Sequence, residues 1–80
     1  MLVCMKPIQE RLAAAIRERR KEIGISQEAL AAAAGVHRTY ASSIERARVA
    51  ISIEVAERIA IALDLTLSEL FSRAERPKTR

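Results

Sequence analysis

The chain has 80 residues, with 14 Lys or Arg against 10 Asp or Glu for a formal net charge of +4, one His, one Cys, and Tyr40 and Phe71 as its only aromatic rings. That length excludes two separate cores, and an apolar content of 50% argues against disorder. Fifteen Ala and a scarcity of β-branched or aromatic clusters favour helix over strand, while the charge permits an anionic partner without requiring one.

The opening Met1 to Met5 is apolar, but Lys6 and Pro7 stop it far short of a signal-peptide core or of a membrane span of about 20 residues. Cys4 has no partner in the chain, so an internal disulfide is excluded and a reducing cytoplasm is the simplest reading. Pro7 suits the first turn of a helix running to about Glu22, where Gly24 offers a left-handed stop, and Leu12, Ile16 and Ile23 share one face of it. Ser26 caps a second helix, Gln27 to about Ala34, with Glu28 near its positive end and Gly35 closing it. A third helix spans about His37 to Arg46, and Ser52 caps a fourth that runs to about Leu63. Thr66 and Glu69 have the spacing of a capping box and Leu65 and Leu70 that of a hydrophobic staple, which specifies a fifth helix from Leu67 to about Arg73. The tail from Ala74 to Arg80 is short, mostly polar and expected to fray. The expectation is one all-α domain over residues 1–80, a compact five-helix bundle with its core in about residues 8–72.

The third helix carries the functional signal. At about 100° per residue, Arg38, Ser42, Arg46, Thr39 and Ser43 fall on one side, while Tyr40, Ile44 and Ala41 fall on the other. The polar side holds hydroxyls and guanidinium groups and no acid. An ordinary solvated face is the alternative, but such faces usually mix Glu with Lys and Arg. A basic stripe flanked by small hydroxyls is what a helix in a DNA major groove needs, since Arg can donate twice to guanine and hydroxyls can meet bases or phosphates.

Only Gly35 and Val36 separate the second and third helices, a spacing that fits a helix-turn-helix. The segments Ser26-Gln27-Glu28-Ala29-Leu30-Ala31, Ala34-Gly35-Val36, Arg38-Thr39-Tyr40 and Ile44-Glu45-Arg46, continued by Ala60-Ile61-Ala62-Leu63 and Leu67-Ser68-Glu69-Leu70-Phe71, resemble the repressor-type helix-turn-helix family of phage repressors, Cro proteins and xenobiotic-response-element regulators. The resemblance covers about residues 8–72, and His37-Arg38-Thr39-Tyr40 before Ser42 looks most like the controller proteins of restriction-modification systems. It implies a lambda-repressor-like DNA-binding domain in which Arg38, Thr39, Ser42 and Ser43 face base edges or adjoining phosphates, while Gln27, Arg46 and Arg48 hold the phosphate backbone. Tyr40 is read two ways, as a ring at the edge of the core or as a phosphate contact. Three positions depart from the family pattern. Ala47 stands where Gly usually closes the recognition helix, so that helix either ends differently or runs on toward Arg48; His37 stands where a better N-cap is usual; and Ala41 replaces a larger aliphatic.

Helix periodicity puts Arg20 at the edge of the buried face of the first helix and Glu45 beside the apolar arc of the third, which suggests a structural ion pair; the family often has one there. A recognition helix of about ten residues spans about 15 Å and makes three or four base contacts worth about 1–3 kcal/mol each. A homodimer on a pseudo-palindromic operator is therefore expected, with half-sites about 34 Å apart. Ile51, Ile53, Leu67 and Phe71 are the candidate dimer surface, although Leu67 and Phe71 equally suit the core. Enzyme readings find no support. The single Asp, His and Cys sit in no metal-ligand spacing, phosphate loop or nucleophile motif, and no metal, cofactor, small-molecule ligand or membrane is expected. The rival is an antitoxin or protein-interaction module with secondary DNA binding, which would need a large exposed apolar patch or an extended tail.

Overall fold

A computed structural model of the chain describes residues 7–76. The readings made for Cys4, the apolar opening and the last four residues of the tail lie outside the described residues. The helices are α1 (Ile8–Ile23), α2 (Gln27–Ala34), α3 (Arg38–Glu45), α4 (Ile53–Ala62) and α5 (Leu67–Glu75), and no strand occurs among the described residues.

Local chemistry sets the boundaries. Ser26 Oγ accepts from Ala29 N at 3.0 Å and Ser52 Oγ from Val55 N at 3.1 Å, while Thr66 and Glu69 close a reciprocal capping box at 3.0 and 2.9 Å. Gly24 and Gly35, at φ 74 and 73, end α1 and α2 in the left-handed conformation that a Cβ would oppose.

The core is aliphatic and draws on every helix: Leu12 and Ile16 of α1, Leu30 of α2, Ile44 of α3, Ile59 of α4 with Leu63 just beyond it, and Leu70 of α5. Full burial contributes about 1.5–3 kcal/mol for each such side chain. Buried alanines on α1, α2 and α4 let the backbones come close, with α1 packed on α5, and α2 on both α3 and α4. No helix is both long and apolar enough to cross a membrane among the described residues.

The fifth helix runs two residues past the expected end. Ala74 is buried in the core, and Arg11 Nη1 reaches its carbonyl at 3.5 Å, so residues 74–75 are helical rather than frayed. Arg73 grips Glu22 of α1 through Nη1 and Nη2 at 3.0 Å each, and Arg19 adds a contact at 3.2 Å. These guanidinium groups, Arg73 foremost, hold the Glu22 carboxyl below its ordinary value.

Candidate nucleic-acid interface

The turn between α2 and α3 is held from within. Val36 N donates to Ala31 O at 3.0 Å and Gly35 N to Ala32 O at 3.2 Å, and the half-buried Val36 side chain packs against the core. His37, extended at φ −70 and ψ 146, starts α3 as a working cap, because its Nδ1 accepts from Thr39 N at 3.0 Å. An imidazole acceptor thus fills the role for which Ser is the commoner choice.

The third helix is two-sided. Ala41, Ile44 and Glu45 are buried, and the Tyr40 ring packs partly buried against the core. On the other side Arg38 and Thr39 are exposed, and Ser42 and Ser43 are half-buried. An open groove of about 440 Å³ runs between the start of α2 and this face, lined by Ser26, Gln27, Glu28, Arg38, Thr39 and Ser42. Arg38 Nη1 donates across it to Glu28 Oε2. The acid-free stripe is therefore a property of α3 alone, since the fold supplies an acid from α2.

The inward end of α3 is an ion-pair centre. Glu45 is 3% exposed and accepts from Arg20 Nε at 2.7 Å, Arg20 Nη2 at 3.1 Å and Gln27 Nε2 at 3.2 Å. Arg20 Nη1 also donates to Ile25 O at 3.1 Å, so the guanidinium ties α1, the α1–α2 loop and α3 together. Gln27, which the resemblance assigns to phosphate, has its amide committed inward to Glu45 and stands half-buried.

Beyond Glu45 the chain leaves the helix through Ala47 at φ 58, a left-handed alanine. Arg48 N donates to Ser43 O at 2.9 Å and Ala47 N to Ile44 O at 3.0 Å, so the turn closes as it would with Gly. The helix stops at Glu45 and does not continue to Arg46 or Arg48, both of which are exposed. Two α1 side chains hold this end: Arg17 Nη1 donates to Glu45 O at 2.5 Å, and Gln9 Nε2 to Ala47 O at 3.2 Å and Val49 O at 3.0 Å. Neither had a signal in the sequence, because the acceptors are backbone carbonyls as many as 40 residues away.

The candidate dimer residues separate. Ile51 packs partly buried against the core, Leu67 is half-buried, and Phe71 and Ile53 are 38% and 75% exposed. Ile61, which the sequence reading did not single out, is 67% exposed two turns along α4 from Ile53. No group of three or more His, Cys, Asp or Glu is placed to hold a metal ion among the described residues.

A short helix–turn–helix with a buried inner face and an exposed, hydroxyl- and guanidinium-bearing outer face defines a helix-turn-helix DNA-binding domain. The chain belongs to the helix-turn-helix family, whose model matches residues 16–70. It is 41% identical over 73 residues to the control protein C.MunI of a Mycoplasma species, a match covering 90% of this chain and 99% of that protein. Among solved structures it is similar to the restriction-modification controller protein C.AhdI from Aeromonas hydrophila, with a TM-score of 0.75 and 34% identity over 78% of this chain and 94% of that one. It is also similar to the clp gene regulator ClgR from Corynebacterium glutamicum, with a TM-score of 0.83 and 30% identity over 86% of this chain and 73% of that one. Fold, site and family make the protein a DNA-binding transcriptional regulator.

Proposed function

We propose that the protein acts as a homodimer that lays α3 in the major groove of each half of a pseudo-palindromic operator, and that it controls a restriction-modification promoter by occupancy alone, in the cytoplasm and without a ligand, cofactor or catalytic step. Arg38, Thr39, Ser42 and Ser43 meet base edges, while Tyr40, Arg46 and Arg48 meet phosphates. Gln27 serves the backbone contact indirectly, by fixing the start of α2 against Glu45. The observation that carries the reading is the pairing of exposed Arg38 and Thr39 with a buried opposite face, which leaves the helix only one side to offer. The names of C.MunI and C.AhdI support the controller role.

The eight residues of α3 span about 12 Å, so one copy reads only a few base pairs and a second copy is needed for specificity. Exposed Ile53, Ile61 and Phe71 supply apolar surface for a partner subunit to cover. Gel shifts against DNA from upstream of the protein's own gene test the assignment. Specific binding should be lost in Arg38→Ala with folding intact, and should weaken with salt by about 0.9 in log–log slope per neutralised phosphate. Equal affinity for every fragment, unchanged by Arg38→Ala, refutes sequence-specific readout.

A further inference from the structure

The outer stripe of α3 carries no carboxylate, yet Glu28 of α2 sits in contact with Arg38 across the groove, and both side chains keep 64% exposure. It is the one acid on a wall otherwise lined by Ser26, Gln27, Arg38, Thr39 and Ser42. An exposed ion pair contributes little to folding, and although an acid in the first turn of α2 favours the positive end of that helix, that benefit does not require it to reach across the groove to Arg38 on a surface that faces a polyanion. Its charge has a consequence in binding instead.

We propose that Glu28 is a specificity-determining positioning residue: it holds the Arg38 guanidinium over the groove before DNA arrives and disfavours every complex in which Arg38 finds no guanine. The inference rests on the reading of Arg38 as a base contact. Guanine offers two acceptors, O6 and N7, matched to the guanidinium fork, and the five donors of Arg suffice for Glu28 and guanine together. Adenine places an amino donor where guanine has O6, so the fork is left half-satisfied. Arg38 then stays on Glu28, or swings to a phosphate and leaves a bare carboxylate beside the DNA backbone. Both outcomes weaken the wrong complex, which is how a repulsive element produces discrimination. Without the carboxylate Arg38 becomes a general phosphate ligand, and unrelated DNA gains.

The test uses a duplex selected from a random pool by the wild-type protein. Binding of wild type, Glu28→Gln, Glu28→Asp and Arg38→Ala is measured to that duplex, to versions with each half-site guanine replaced in turn, and to an unrelated duplex over a salt series. Glu28→Gln should lose about tenfold of the discrimination at the guanine that Arg38→Ala ceases to recognise. It should bind the unrelated duplex more tightly, with a log–log salt slope steeper by about 1.8, one added phosphate contact from each subunit of the dimer. Glu28→Asp, which keeps the charge, should restore part of the discrimination. Wild-type discrimination and slope in Glu28→Gln, with Arg38→Ala still impaired, overturn the role of Glu28 alone. Undiminished discrimination in Arg38→Ala overturns base reading by Arg38 and the role of Glu28 with it. Melting temperatures close to wild type are expected for Glu28→Asp and Arg38→Ala, because both side chains are exposed, and one lower by about 1–8 °C for Glu28→Gln, which loses the first-turn charge of α2.

Discussion

Replacing Glu45 by Gln perturbs the most enclosed charge in the domain. The carboxylate is 3% exposed and accepts three donors, two from Arg20 and one from Gln27, at 2.7 to 3.2 Å. The amide keeps the volume, but it removes the charge and places an NH2 donor among other donors. Breaking a fully buried ion pair costs about 3–5 kcal/mol, chiefly because the survivor is stranded. Arg20 is not wholly stranded: its side chain keeps 15% exposure, and its Nη1 retains the Ile25 carbonyl at 3.1 Å. The low end, about 3 kcal/mol, therefore applies. For a domain of this size each kcal/mol moves the melting temperature by about 4–8 °C, so a fall of about 12–24 °C is expected. Far-UV circular dichroism during heating, at matched protein concentration because a dimer melts in a concentration-dependent way, measures it. The double variant Arg20→Met with Glu45→Met should recover most of the loss, since no charge is then left behind. A fall of less than about 4 °C in Glu45→Gln would refute the reasoning, because it would mean that water already reaches the pair.

Ala47→Gly should raise the melting temperature by about 2–8 °C. An L-residue at left-handed φ costs about 1–2 kcal/mol, of which glycine returns about 0.5–1 through its freer unfolded chain, and a lowered midpoint in the same melt contradicts the backbone reading. Glu22 is depressed by Arg73 and Arg19, so its stabilisation is present above the ordinary carboxylate value and is lost as pH falls through the lowered one. Glu22→Gln should therefore be slightly less stable than wild type at neutral pH and converge with it in acid; a gap in melting temperature that widens on acidification contradicts the assignment. Ile53→Glu, at a side chain 75% exposed, should leave the fold intact, shift sedimentation toward monomer and weaken operator binding, whereas an unchanged dimer places the interface elsewhere.

The helix boundaries were legible because caps and stops are local: Ser26, Ser52, Thr66 with Glu69, Gly24 and Gly35 each act within one turn of chain. The two-sided character of α3 was legible from its periodicity, and the pairing of Arg20 with Glu45 from where each residue stood on its helix. What escaped depends on distant partners. Local preference has Ala47 prolong the helix, by about the 1–2 kcal/mol that a left-handed L-residue costs, yet the chain bends there, and the bend coexists with bonds from Gln9 and Arg17 that no short window contains. The extra residues of α5 follow from burial of Ala74 against other helices rather than from any local stop signal. Gln27 and Glu28 are adjacent in sequence, yet one turns to Glu45 and the other to Arg38. Only the packing of α2 on α3 sorts them.

The clasp formed by Gln9, Arg17 and Arg20 of α1 on the far end of α3 divides eight residues into two zones of different mutability. Residues 38 and 39 project from the helix with no duty to the fold beyond the His37 cap, whereas residues 44 and 45 and the turn at 47 are welded to the scaffold. On the proposed reading, a change of operator can therefore proceed by exchanging the outward residues 38, 39, 42 and 43, with the angle at which the helix leaves the protein inherited intact. A foreign recognition helix without the Glu45 carboxylate would lose the bonds from Arg20 and Gln27 and alter that angle along with the bases read.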